Sequence, residues 1–240
     1  MKVTADDIIN DETNIIERFK DIAPGSEKHC RNVAMLCESI GKSIDGVNTK
    51  NLVAAAKVHD IGKCCNPQYF GENQGSDDNI HDTLDPSVSY QFISRHISDG
   101  VLKLVQANVD IDIIKIVSEH HGDSVIASIY NKARSKNNGN TNDIHYRYKS
   151  VKPSCVESCV LMISDVVESA CRSMSNSGKL DDPKMVINNL INNLIDDEQL
   201  DVLKIGEIRI IKSILLKEIE SIFHKRVSYD DEKEDNNGTV

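Results

Sequence analysis

Seven side chains that bind divalent metals stand within or at the ends of apolar helical patterns: His29, His59, Asp60, His96, His120, His121 and Asp165. His29 begins the stripe Val33, Leu36 and Ile40, His59 follows Val53 and Ala56, and His96 lies one turn after Phe92 and Ile93. At helical spacing each of these rings points inward. One such histidine alone reads as a satisfied core residue. Several buried together need partners for many ring nitrogens, and a shared metal supplies them most readily. Asp165 sits in the run Leu161 to Val167, where a lone carboxylate is costly. Five imidazoles and two carboxylates suit borderline divalent ions such as Fe, Mn, Zn, Co or Ni, and are too rich in nitrogen for Mg or Ca. Seven ligands exceed what one catalytic ion takes, so the set predicts two ions sharing a carboxylate, with positions left for water and substrate. His81, His145 and His224 fall in loop or terminal contexts and are expected to bind no metal.

The elements that must position these residues are helical. Apolar residues recur at three and four along Ile8, Ile15, Phe19 and Ile22, and again along Val33, Leu36, Cys37 and Ile40, which predicts an all-α fold. Helix starts are marked at Ser26, at Asn48 or Thr49, at Asp85-Pro86, at Asp110 and at Pro153-Ser154, with stops at Gly25, Gly46, Gly62 and Gly122. The expected organisation is an N-terminal helix within 1–25, a core over 26–177, a C-terminal helical pair over 178–229 packed on it, and a disordered acidic tail over 230–240. The pair comprises helices from about Pro183 to Ile195 and from about Ile205 to His224. Cys64 to Asp85 and Ser135 to Lys152 read as long loops, a length more often functional than merely connecting.

Composition narrows the function classes. A chain of 240 residues that is 39% hydrophobic buries one substantial core, which excludes a natively disordered protein. The net charge of −10 disfavours nucleic-acid polymers and anionic membranes as partners. There is no long apolar window and no secretory start, so a cytoplasmic protein with no membrane span in this chain is expected. Seven cysteines without a C-x-x-C pair read as reduced thiols, and Cys155 and Cys159 as core.

His29, the run His59-Asp60-Ile61-Gly62-Lys63, the pair His120-His121 and Asp165 together resemble the HD superfamily of metal-dependent phosphohydrolases. Tyr69 to Gln74, Asn79 to Asp82, Ser94 to Gly100, His120-His121-Gly122, Arg147-Tyr148, Val167 to Ser173 and Ile222 to Arg226 resemble the cytoplasmic HD domain of PgpH-type cyclic-di-AMP phosphodiesterases. The resemblance runs from about Ser26 to Tyr229. It implies an HD-domain helical bundle with His29, His59, Asp60 and Asp165 on one metal, His96, His120 and His121 on the second, and Asp60 bridging. It further implies a phosphodiesterase that hydrolyses a cyclic dinucleotide, cyclic-di-AMP, to linear pApA through a metal-bridging hydroxide, with two Fe or Mn ions as cofactors. Asp60 and Lys63 are the expected catalytic residues, and Lys63, Asn73 and Arg172 the expected substrate contacts. The bland alternatives are a solvated Lys63, an Arg172 paired with Glu168, and a segment Glu72 to Asp82 that is surface excursion rather than lid.

The related enzymes that cut cyclic-di-GMP carry a Glu after the paired histidines and then Gly-Tyr-Pro. Here the run is His120-His121-Gly122-Asp123-Ser124, which disfavours that assignment. Two departures bear on substrate: Cys64-Cys65-Asn66-Pro67 replaces a basic segment, and Thr83 stands where Lys is common. A phosphohydrolase of another cyclic or linear nucleotide, or a nucleotide-binding sensor without turnover, are the alternatives. Family members carry a multi-span membrane anchor, so this chain is expected to be a freestanding or excised version. Its oligomeric state is left open.

Overall fold

The computed structural model describes residues 2–74 and 79–234, with side chains as far as 222. The helices are α1 (Ala5–Ile9), α2 (Asn14–Ile22), α3 (Pro24–Gly41), α4 (Thr49–Val58), α5 (Pro86–Gln106), α6 (Ile111–Glu119), α7 (Ala127–Lys136), α8 (Val156–Asn176), α9 (Pro183–Asp196) and α10 (Ile205–Glu234). No strand occurs among the described residues, only isolated bridges between Val3 and Val109 and between Val125 and Arg147. The all-α expectation therefore holds. No described helix is long and apolar enough to cross a membrane.

The core is aliphatic, as a chain without tryptophan requires. Leu36 and Ile40 of α3, Leu52 of α4, Ile113 of α6 and Leu161, Met162 and Ile163 of α8 are fully buried together, so α3, α4, α6 and α8 form its centre. Each such side chain contributes about 1.5–3 kcal/mol of burial free energy. The stripe Ile187, Ile191 and Leu194 of α9 and the stripe Ile211, Leu215 and Ile219 of α10 join the same core, and both helices pack against α8.

Several boundaries differ from the sequence reading, each for a local reason. The N-terminal region is two helices rather than one, because Asp11 turns the chain at φ 58 after the Thr4 capping box has started α1. Gly25 does not stop a helix. It sits in the first turn of α3, which starts at Pro24, and a Cβ there would lie 1.8 Å from the Glu72 carbonyl oxygen. Helix α8 starts after Ser154, because that residue's amide and hydroxyl are taken by Glu119 at 3.0 and 2.7 Å. Helix α7 has no side-chain cap, so no start signal announced it. Helix α10 continues past His224 through Glu234, there being no Pro or Gly between Glu207 and Glu234 to end it. The rest of the expected acidic tail, 235–240, lies outside the described residues. The segment from Cys64 to Asp85 winds through short 3₁₀ turns at Pro67–Tyr69, Gly71–Asn73 and Ile80–Asp82.

Candidate metal centre

Five helices deliver the seven side chains to one place. His29 comes from α3, His59 and Asp60 from the end of α4, His96 from the middle of α5, His120 and His121 from the end of α6, and Asp165 from α8. All are buried except His121, which is partly open. They form two compact groups, His29 with His59 and Asp165, and His96 with His120 and His121, the ligand atoms within each lying inside 4.8 Å of one another. Asp60 stands between: its Oδ2 is 3.3 Å from His59 Nε2 and 3.7 Å from His29 Nε2, while its Oδ1 is 3.5 Å from His96 Nε2. Asp165 spans the groups as well, with Oδ1 2.9 Å from His29 Nε2 and Oδ2 3.7 Å from His121 Nδ1. The sequence singled out only Asp60 as a bridge.

Backbone carbonyls fix how the imidazoles present themselves. Nδ1 of His59, His96 and His120 donates to the carbonyl three residues earlier, on Ala56, Ile93 and Val117, at 2.8, 2.6 and 2.5 Å. In the neutral ring each Nε2 is therefore a bare lone pair aimed at the centre. His96 Nε2 and His120 Nε2 face each other at 3.3 Å, so two acceptors meet with no proton between them. His59 Nε2 and Asp60 Oδ1 are buried without a hydrogen-bond partner. A bound cation would satisfy such an arrangement, and the donor set fits a divalent metal.

The electrostatics agree for the group His96, His120 and His121. In the other group, although burial lowers them, Asp165 and Glu168 raise His29, and Cys30 and Asp60 raise His59, above the usual imidazole range. Those two rings release a proton when a metal binds. In the first group the rings behave differently. Burial above all pushes His120 well below the usual imidazole range and His121 down to about 3, with the neighbouring rings adding to it for His120. Burial likewise lowers His96. These rings stay neutral, the form a metal binds. Burial alone would raise Asp60 and Asp165, but Lys63 and His59 beside the first, and the hydrogen bond from His29 to the second, hold them well below the usual carboxylate range. Cys30 also lies within reach of His59 and Asp60, but its Sγ approaches His59 at Nδ1, the nitrogen turned to the Ala56 carbonyl, at 3.4 Å, and burial pushes its thiol up.

The other expected site residues have mixed placements. Lys63 is not solvated: its Nζ lies 2.7 Å from Asp60 Oδ2 and 2.7 Å from Glu72 Oε1, and above the Phe70 ring. Asn73 gives both ends of its amide to Ser26, donating to Oγ at 2.8 Å and accepting from the backbone N–H at 3.1 Å. It thus fastens the loop to α3. Arg172 does pair with Glu168, its Nε at 3.1 Å from Oε2. His81 stays apart from the metal groups and bonds the Tyr69 carbonyl through Nε2 at 2.7 Å. The Gly71-Glu72 turn divides two clefts that open on the cluster. One, of about 600 Å³, is lined by Tyr69, Phe70, Ile93, His96, His121 and Tyr148. The other, of about 850 Å³, is lined by Lys28, His29, Asn32, Arg172, Ser173 and Asn176.

Glu168 is the residue the sequence reading missed as part of the centre. Its Oε2 accepts from His29 Nδ1 at 2.5 Å and its Oε1 from Asn32 at 2.8 Å. Its signal was a position one turn after Asp165, on the same face of α8. Orienting a ligand histidine this way is worth about 10–100-fold in metal affinity. Glu168→Gln is expected to weaken Mn²⁺ binding by that factor while leaving the far-ultraviolet circular dichroism unchanged. Calorimetric titration checks it.

The family model for the HD domain matches residues 27–170, more than half of the chain. The chain belongs to the HD-domain family. This HD domain is 33% identical over 235 residues to the cyclic-di-AMP phosphodiesterase PgpH of Listeria monocytogenes serotype 1/2a (strain 10403S), covering 95% of this chain and 32% of that protein. It is 32% identical over 225 residues to PgpH of Bacillus subtilis (strain 168), covering 93% of this chain and 31% of that protein. The chain therefore spans about a third of the length of the curated relatives it matches. The crystal structure of the L. monocytogenes PgpH HD domain in complex with cyclic-di-AMP superposes with a TM-score of 0.81 at 32% identity, over 88% of this chain and 98% of that one. Across the HD-domain match lie all seven side chains of the candidate centre, from His29 to Asp165.

Proposed function

We propose that this HD domain is a phosphodiesterase that uses two divalent ions, Fe or Mn, to hydrolyse cyclic-di-AMP to linear pApA. The observation that carries the reading is the convergence of two histidine groups on the shared carboxylates Asp60 and Asp165. The substrate rests on the similarity to PgpH, one relative of which holds cyclic-di-AMP in its crystal structure. His29, His59 and Asp165 would hold one ion and His96, His120 and His121 the other, with Asp60 between the two groups. Ions bound there supply Lewis acidity, lowering the pKa of water towards about 7 and drawing charge from phosphoryl oxygens.

The chain's own residues orient and charge the site. Lys63 clamps Asp60 with its ammonium and, through Glu72, ties the Gly71–Asn73 turn to the catalytic helix end. Glu72 is held down to about 2 although burial pushes it up, because Lys63 lies beside it, so this clamp is charged at any physiological pH. Arg172 and Lys28 place positive charge in the polar cleft, where a dinucleotide's second phosphate is anchored electrostatically. Asn73 acts on substrate through the loop it fastens. Every ligand position is filled, which favours turnover over a binding-only sensor.

Anaerobically purified protein loaded with Mn²⁺ or Fe²⁺ is expected to convert cyclic-di-AMP to pApA, with kcat/KM about tenfold or more above that for cyclic-di-GMP or linear dinucleotides. Preference for another nucleotide would reassign the substrate. Absence of hydrolysis across the whole panel by metal-replete protein would overturn the reading.

A further inference from the structure

Among the groups lining the aromatic cleft, Tyr148 has no task in the metal centre as described. It shares the cleft wall with Lys63, His96, His121 and Asp165. Its ring stacks flat on His121, with centroids 4.3 Å apart and planes at 8°, and meets His96 edge-on at 6.0 Å. The side chain is only 9% exposed. Yet its hydroxyl has no hydrogen-bond partner among the described residues. Tyr90, by contrast, donates to the Arg147 carbonyl at 2.7 Å and Tyr130 to the Thr141 carbonyl at 3.5 Å. The hydroxyl is not sealed from solvent; it opens on the cleft, where it is a free donor for whatever binds there.

The backbone around Tyr148 is held firmly. Its N–H donates to the Ser124 carbonyl at 2.9 Å, and Ile126 N–H to the Tyr146 carbonyl at 2.9 Å, joining the segment after His121 to the segment carrying Tyr148. Next to it, Arg147 is gripped by Asp143 at 2.9 Å and Asp197 at 2.7 Å. The phenol is therefore placed in advance of substrate.

We propose that Tyr148 is a further catalytic residue, donating its O–H hydrogen bond to a nonbridging oxygen of the phosphodiester bound over the metal centre. The inference rests on the phosphodiesterase reading above. As water forms its new bond to phosphorus and the bond from phosphorus to the 3′ oxygen breaks, negative charge accumulates on the nonbridging oxygens. The water's proton ends on the departing 3′ oxygen, and Tyr148 neither gains nor loses one. A positioned donor that strengthens as charge develops lowers the barrier without tightening ground-state binding. Burial pushes the phenol up, so it remains a neutral donor across the working pH range.

Tyr148→Phe keeps the ring and its stack on His121 and removes only the hydroxyl. Expected are a kcat lower by about 10²-fold, a KM within about threefold of wild type, and unchanged metal content. Calorimetric binding of orthovanadate, which adopts five-coordinate geometry, is expected to weaken by a comparable factor. Tyr148→Ala, which also removes the stack, is expected to lose metal as well. A Phe variant with wild-type kcat and vanadate affinity overturns the proposal, as does a loss of kcat that tracks loss of metal. Wild-type protein that cleaves no phosphodiester brings down the phosphodiesterase reading and this proposal with it, whereas active wild type matched by Tyr148→Phe brings down this proposal alone.

Discussion

Asp60→Asn is expected to lose both metal ions and to turn over about 10³-fold more slowly than wild type. The substitution keeps the volume and removes the charge. Asp60 faces His29 and His59 with one oxygen and His96 with the other, so both histidine groups lose their shared anion at once. Lys63 retains Glu72 as a partner at 2.7 Å. The fold therefore loses less than the about 3–5 kcal/mol that an uncompensated buried charge costs. Elemental analysis after dialysis, alongside circular dichroism, separates metal loss from unfolding. A variant that keeps two ions and a wild-type rate contradicts the central role of Asp60.

Gly62→Ala is expected to have the second largest effect, through backbone rather than chemistry. A Cβ at this position would lie 1.8 Å from the His96 carbonyl oxygen and 2.6 Å from the Gly100 amide nitrogen. Neither atom is a flexible side chain that rotates away. Either α5 retreats and takes His96 with it, or the turn Ile61–Cys65 retreats and takes His59 and Asp60. Overpacking of this kind costs about 3 kcal/mol, a drop in Tm of about 6–12 °C for a domain of this size. Metal content and kcat are expected to fall together with it. Gly71→Ala is the control, since nothing lies within 4 Å of its Cβ position, and its Tm is expected to change by no more than about 2 °C. Scanning calorimetry of the two variants in parallel checks the contrast.

The convergence of the seven side chains was legible because each breaks the pattern around it. Asp165 interrupts the apolar run Leu161 to Val167, and His96 continues the inward face of Phe92 and Ile93. A polar group on a buried face must converge with others or be costly, so the pattern itself implied a common centre. The partners of the outer ring nitrogens were not legible in the same way. The carbonyls of Ala56, Ile93 and Val117 become partners only once the helix ends fix the ring rotamers. The reach of Asp165 Oδ2 toward His121 depends on how α8 crosses α6, which periodicity does not specify. Gly25 looked like a helix stop, because a glycine needed for close approach to Glu72 is indistinguishable in sequence from one that ends a helix. Lys63 and Asn73 carried the right chemistry for phosphate and base, yet their first partners are Asp60, Glu72 and Ser26. Composition alone does not reveal which partner a side chain meets first.

Anomalous diffraction at the manganese absorption edge, from crystals of the chain grown anaerobically with Mn²⁺, tests the paired centre most directly. Two peaks per chain are predicted, one among His29, His59 and Asp165, the other among His96, His120 and His121, with Asp60 contacting both. A single peak, or manganese bound away from these side chains, would contradict it.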